Sequence, residues 1–356
     1  MLRSAIRNAF GRARAACVRA LWPTCMRALW VLALCATTPF GDASAVLIES
    51  GDGSGNTSAP ADDPGWAHVG TRNNLSVVYL GRRWVLTANH VGVGNVVING
   101  QLYAPVPGSA VQFENPDTSL VDLLAFKIFG DPSLPRLAIA SEPPAVGDPL
   151  VAIGHGRNRG SATSFMGFGG YNWGGGNSMR WGTNLVSEID VVIDTTRSFA
   201  ATFSDPLDAD ATADEAAGAN GDSGGAVFIE VDGSWQLAGT VFAISQYAEQ
   251  PSTTSIYGNE LYAVDLSFYR DDVLAVVNQR SCADGLDDDG DGFADYPADP
   301  ECTSSVDDSE SMLEEAVPAL GPLASALLIG SLLIARAVLD QRDSRRRTSG
   351  STFGSR

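Results

Sequence analysis

A serine hydroxyl becomes a nucleophile only when a nearby base takes its proton. One serine of the 356-residue chain sits in a setting suited to that task, Gly221-Asp222-Ser223-Gly224-Gly225. Glycines there permit a tight loop whose amides converge on a developing oxyanion. For the base there are three histidines, His68, His90 and His155. Only His90 directly follows an apolar strand pattern, in Trp84-Val85-Leu86-Thr87-Ala88-Asn89-His90. A carboxylate at the head of an apolar strand is costly to bury without a donor, and a histidine N–H supplies one. Asp122, opening Asp122-Leu123-Leu124-Ala125-Phe126-Lys127-Ile128, is that carboxylate. Asp117 follows Asn115-Pro116 in a turn pattern and ranks second.

The order His90, Asp122, Ser223, each in its local context, resembles the trypsin/chymotrypsin-like serine proteases. The resemblance runs from about Trp66 to Gln279. It implies an all-β fold of two six-stranded antiparallel β-barrels with a C-terminal helix. It also implies that His90 is the base and then the acid, that Asp122 orients it, and that Ser223 attacks. The amides of Gly221 and Ser223 would form the oxyanion hole. Ala217, six residues before Ser223, falls at the floor of the family's specificity pocket, and Phe242-Ala243 falls on its wall. Without an acid at that floor, the expected preference is an apolar residue before the scissile bond. In the family, the Asp before the nucleophile pairs with a newly made N-terminal ammonium. That implies the pairing of Asp222 with Val46 once a signal segment is removed. Val91 stands where animal members carry a cysteine, and residues 46–281 contain none.

The elements needed to hold these residues are legible as short apolar runs between Gly, Pro, Asn and Asp clusters. Strands are predicted over Leu75–Leu80, Trp84–Thr87, Leu123–Ile128, Leu150–Ile153, Val186–Ile193, Ala226–Val231 and Leu237–Ile244, and one helix over Leu266–Gln279. The glycine-rich stretch Gly167–Gly176 reads as a flexible surface loop. A hydrophobic fraction of 44% is enough for a sizeable core.

The two ends read as addresses. Residues 1–45 form a signal peptide ending in Ala43-Ser44-Ala45, with Met26 as an alternative start. Ala316–Ala335 is a charge-free apolar run of membrane-spanning length, followed by an arginine-rich tail over 336–356. These features imply export, with the body on the periplasmic or cell-surface face, tethered or released by processing. The formal net charge is −19 and the arginines gather at the ends, so the body is strongly acidic. That argues against a nucleic-acid partner.

Cys282 and Cys302 enclose an acidic stretch and are expected to pair. Asp287, Asp289 and Asp291 alternate before Gly292, and Asp295 follows. Oxygen ligands at that spacing suit Ca²⁺ within residues 284–299, although Ala298 stands where an EF-hand has its Glu. The run looks like a thrombospondin type 3 repeat. It is read as a stiff spacer over 282–303 followed by an acidic linker over 304–315. The whole is expected to be a monomeric, membrane-tethered serine endopeptidase acting on protein or peptide and needing no cofactor for catalysis. Two further readings use the same residues: a catalytically silent surface binding or adhesion protein, and an esterase.

Overall fold

The computed structural model describes residues 46–308 and residue 310. The signal segment, the apolar run 316–335 and the tail 336–356 lie outside the described residues. Leu75–Gly81 is buried at every position but its first, and Trp84–Thr87 at all four. Strands covered at nearly every position have both faces packed inside the fold. They are the centre of a seven-stranded antiparallel sheet. Its order is Gln101–Tyr103, Val96–Ile98, Val69–Arg72, Leu75–Gly81, Trp84–Thr87, Leu120–Lys127 and Val111–Glu114. The sheet closes on itself where the chain after Gln101–Tyr103 meets the end of Leu120–Lys127: Val106 N–H donates to Lys127 O and Phe129 N–H to Ala104 O, at 2.9 and 2.8 Å.

A second seven-stranded antiparallel sheet runs Arg180–Leu185, Pro149–Gly154, Ala226–Val231, Ser234–Ile244, Glu260–Asp265, Thr196–Thr202 and Glu188–Ile193. It curls back through Ser187 N–H, which donates to Ala200 O at 2.9 Å. The expected six strands per barrel are therefore seven. In the first sheet, Asn99-Gly100, both at positive φ, turns a short extra hairpin. In the second, one length of chain bends at Val186-Ser187 and serves as two strands. One apolar core joins the sheets, with Val78, Leu86 and Leu123 from the first packed with Ile153, Phe228 and Val264 from the second.

Three predicted elements shift. The glycine-rich stretch is not a loop. Phe168–Asn177 is a strand between Arg157–Phe165 and Thr254–Ile256. Its backbone supplies the ladder, and Tyr171 and Trp173 pack against the cluster of Leu47, Phe203 and Ala217. Asp122 is the third residue of its strand, not the first. The helix is shorter than expected, Arg270–Val277, with Val273 and Val277 inward and Asp271 and Asp272 favourably placed in its first turn.

The acidic module is not a spacer. Cys282 and Cys302 are disulfide-bonded, Cα to Cα 5.7 Å. The loop they close is docked on the first sheet. Lys127 is buried there and pairs with Asp284 and, at 2.6 Å, with Asp288. Arg83 also pairs with Asp288 and donates to its carbonyl at 2.7 Å. A lysine inside an apolar strand needs such partners. The following stretch is held too, because buried Glu310 accepts the amides of Asp288 and Asp295. Among the described residues no helix is long and apolar enough to cross a membrane.

Lys127→Ala leaves the buried carboxylate of Asp284 without its cation and Asp288 with Arg83 alone, and the expected loss of stability is about 3–5 kcal/mol. Urea denaturation measures it. A loss too small to resolve would mean that the module is not anchored through Lys127.

Candidate active site

His90 lies three residues beyond the strand Trp84–Thr87, and Asp122 lies on the neighbouring strand Leu120–Lys127. Their side chains meet. Asp122 Oδ2 is 2.7 Å from His90 Nδ1, and Asp122 Oδ1 accepts the His90 backbone amide at 2.9 Å. The carboxylate thus fixes both the ring and its backbone. With the Nδ1 proton directed at Asp122, Nε2 keeps its lone pair. The bond to Asp122 raises the His90 pKa against the opposing effect of burial. Burial pushes Asp122 up, but its bonds from His90 outweigh that and leave it below the ordinary carboxylate value. The second sheet contributes as well, since Thr196 Oγ accepts the Asp122 amide at 2.9 Å.

The other histidines are committed elsewhere. His68 is buried, with Nδ1 donating to Tyr79 O at 2.8 Å, and burial lowers its pKa. His155 is also lowered by burial, and its role is carried by its backbone. Asp117 serves its own turn, accepting from the amide and hydroxyl of Ser119.

The loop bearing Ser223 is organised around Asp222, which is fully buried. Its carboxylate accepts three amides, from Val46 at 3.2 Å, Gly156 at 2.9 Å and Ala219 at 2.8 Å. Burial still raises its pKa to about 6. The turn Gly154-His155-Gly156 has to be flanked by glycines. A Cβ at either one would stand within 2.5 Å of an Asp222 oxygen. Gly221 has φ +109°, and a Cβ there would meet His155 O and Gly156 Cα at 2.8 Å. Conformation and space both demand glycine.

Ser223 itself is half-buried at the seam between the sheets. Its carbonyl accepts the amide of Ser76 at 2.9 Å, and the next amide, of Gly224, donates to Val241 O at 2.7 Å. Among the described residues the amides of Gly221 and Ser223 donate to no protein acceptor. No hydrogen bond joins Ser223 Oγ to the His90 ring among those residues. Such bonds commonly tighten only around substrate.

Sequence reasoning missed Ser76. This residue is fully buried and ties the parts together. Its Oγ donates to Gly221 O at 3.1 Å and accepts the His155 amide at 2.8 Å, while its carbonyl accepts Thr87 Oγ at 2.9 Å. The signal was a lone hydroxyl inside the apolar run Leu75-Ser76-Val77-Val78. Arg159 was missed too. Its guanidinium grips the carbonyls of Ile48, Glu49 and Gly51 and stacks on Tyr171. Glu49 is held by the hydroxyls of Tyr171 and Tyr257 at 2.8 and 2.9 Å. Together they lock the segment that begins at Val46.

Ala217 is buried and pairs with Leu47 in a short two-stranded ladder. Phe242 and Ala243 line, with His90 and Asp122, an open cavity of about 350 Å³.

Fold and site together define an all-β protein of two rolled sheets, with a histidine–carboxylate pair and a Gly-Asp-Ser-Gly-Gly loop meeting at the seam. Compared as a sequence, the chain matches no family model and no curated protein. Among solved structures it is similar to a mutant of human heparin-binding protein, at 16% identity and TM-score 0.42, over 63% of this chain and 95% of that one. It is also similar to neuropsin, a serine protease expressed in the limbic system of mouse brain, at 17% identity and TM-score 0.41, over 62% and 97%.

NMR titration of the His90 ring should give a pKa above the ordinary 6.5. Asp122→Asn should bring it down, because the charged partner is gone. An unchanged His90 pKa in that variant would contradict the pairing.

Proposed function

We propose that the protein is a serine endopeptidase of the trypsin/chymotrypsin-like class. The observation that carries this reading is the pair of unengaged amides, Gly221 and Ser223, beside a serine on the seam that also holds the His90–Asp122 pair. Ser223 Oγ attacks the scissile carbonyl and passes its proton to His90 Nε2. The two amides bind the oxyanion, and Asp122 stabilises the imidazolium. His90 then gives the proton to the leaving amine, and water cleaves the acyl-enzyme by the same route.

Substrate selection rests on the wall opposite Ala217. A Cβ on Gly218 would lie 2.4 Å from Ile244 Cγ2, so the Ile244 side chain already occupies the space over that glycine. Ala217 and Ile244 offer apolar surface rather than a carboxylate, which suits an apolar side chain better than Arg or Lys. Ala216 and Ala217, at the head of the loop that leads to Ser223, pair with Ile48 and Leu47, which makes the start of the mature chain part of the site.

Val46 is where export processing would leave a new N-terminus. Its amide already contacts Asp222, at 3.2 Å. An ammonium there would meet a buried carboxylate that otherwise receives only neutral donors, so removal of the signal segment is itself the activating step. The acidic body then works outside the cytoplasm, tethered through the run 316–335.

A fluorophosphonate probe should label the mature chain, with labelling abolished in Ser223→Ala and peptide cleavage lost with it. Failure to label would favour a silent binding protein, and turnover of esters but not peptides would favour an esterase. Activity should fall as pH drops through the raised His90 pKa, because the base is then protonated. A peptide library cleaved mainly after Arg or Lys would overturn the specificity assignment.

The precursor and the mature chain should also differ in stability. Asp222 is raised from 3.8 to about 6, so in a precursor with an amide at Val46 its contribution is full below the lower value and lost as pH rises through about 6. With an ammonium at Val46 that loss should disappear. Thermal melts of both forms across this range measure the difference, and identical profiles would contradict activation at Val46.

A further inference from the structure

A cleft of about 470 Å³ lies between the tip of the hairpin formed by Arg157–Phe165 and Phe168–Asn177 and the loop that follows Thr196–Thr202. The catalytic reading does not use it. One side is aromatic. Phe168, beside the hairpin turn, is 50% exposed and stacks on Tyr247 with ring centroids 5.4 Å apart. The other side is the loop over 204–210, where Leu207 is 94% exposed. Asp205, Asp208 and Asp210 face the cleft from that same loop, and no Lys, Arg or His lines it. Among the described residues none of these three carboxylates forms an ion pair.

The walls are fixed before anything binds. Gly258 N–H donates to Phe203 O at 2.8 Å and Tyr257 N–H to Gly169 O at 2.9 Å, which laces the loop and the hairpin to one stretch of chain. Tyr247 OH donates to Tyr257 O at 3.0 Å. A Cβ on Gly258 would stand 2.0 Å from that hydroxyl, so glycine is required there. Phe203 and Tyr257 pack with Leu47 and Ala217, so a buried cluster backs the cleft. Large apolar side chains left in water on such a preformed surface mark a binding face.

We propose that this cleft docks a basic segment of a protein partner, with a Lys or Arg against Asp205, Asp208 and Asp210 and an apolar neighbour on Phe168 and Leu207. Charge selects the occupant. The chain carries a formal net charge of −19, so a second copy would bring like charge to an acidic face. Among the described residues the three carboxylates form no group of oxygens within 4.8 Å, which suits the side chains of an extended segment rather than a single ion. A cationic side chain also gains from the rings of Phe168 and Tyr247, where its methylene stem packs and its charge is drawn to the aromatic face. The inference stands apart from the catalytic reading, because none of these residues shares the cavity of His90 and Asp122.

The test is fluorescence anisotropy with a short fluorescein-labelled peptide alternating lysine and leucine. It is titrated with the full chain carrying Ser223→Ala, so that the result does not depend on catalysis. Saturable binding with a dissociation constant on the order of micromolar is expected, and a peptide with glutamate in place of lysine should not bind. Asp208→Asn with Asp210→Asn, and separately Phe168→Ala, should each weaken binding on the order of tenfold or more. Glu230→Gln with Asp232→Asn removes the same charge from a hairpin outside the cleft and should change binding by no more than about twofold. All five positions are exposed, and thermal melts check that each variant folds. Absence of saturable binding, equal weakening by the two charge-removing pairs, or unchanged binding in Phe168→Ala would overturn the proposal. A concentration-dependent dimer in sedimentation, abolished by Phe168→Ala, would give the cleft to a second copy and overturn it as well. Fluorophosphonate labelling of Ser223 reads the catalytic proposal separately, so either can fail alone.

Discussion

The burial of the Asp222 carboxylate is the constraint on which the site rests. A charge with no access to water must be surrounded by donors, and the three that reach it come from three separate parts of the chain. Val46 brings the start of the described chain, Gly156 the turn after a central strand, and Ala219 the loop itself. Satisfying one carboxylate therefore fixes the path of the loop that presents Ser223. It also explains the glycines on both sides of His155, which leave the carboxylate room. Burial outweighs these three amides and raises the Asp222 pKa to about 6.

Ser76 does for the two sheets what Asp222 does for the loop. Its backbone belongs to the first sheet, yet its hydroxyl and amide serve Gly221, His155 and Ser223. Thr87 binds its carbonyl, so the strand that leads to His90 is tied to the same point. Thr196 acts in the reverse direction, reaching from the second sheet to the amide of Asp122. Asp122 and Ser223 are thus each held by a polar contact that crosses the seam, and His90 is held through Asp122. Apolar packing sets the sheets together, and these few directional bonds set the register between them.

The acidic module shows a different use of buried charge. Lys127 sits in an otherwise apolar strand and requires carboxylates to reach it from outside the sheet. Asp284 and Asp288 meet that need, which converts a sequence resembling a solvated spacer into a fixed part of the body. The aspartates then divide by partner: some neutralise Lys127 and Arg83, some cap backbone amides, and the rest crowd together without a cation of the chain's own.

Side-chain chemistry and local pattern were readable in the chain by itself. His90 after an apolar strand, Asp122 in another, and Ser223 among glycines are local facts, and strand positions such as Trp84–Thr87 and Ala226–Val231 agree with the apolar runs to the residue. The disulfide was legible because only two cysteines flank the acidic stretch. Contacts between residues distant in sequence are not written in local pattern. The Val46–Asp222 contact, 176 positions apart, was expected only from the family resemblance, and the Ser76–Gly221 bond, 145 apart, was not expected at all. The glycine-rich hairpin was misread for a related reason. Its strand character comes from a ladder to Thr254–Ile256 and from aromatic packing on Leu47, not from its own propensity. Spacing likewise put Asp295 with the alternating aspartates; in the fold its oxygens accept the amides of Asp284 and Gly285, while oxygens of Asp291, Asp299 and Glu301 come within 4.8 Å of one another, a grouping that spacing did not suggest. The sequence determined which chemical groups were available, and tertiary structure decided which of them meet, because burial makes each polar group find its partner wherever the chain brings one.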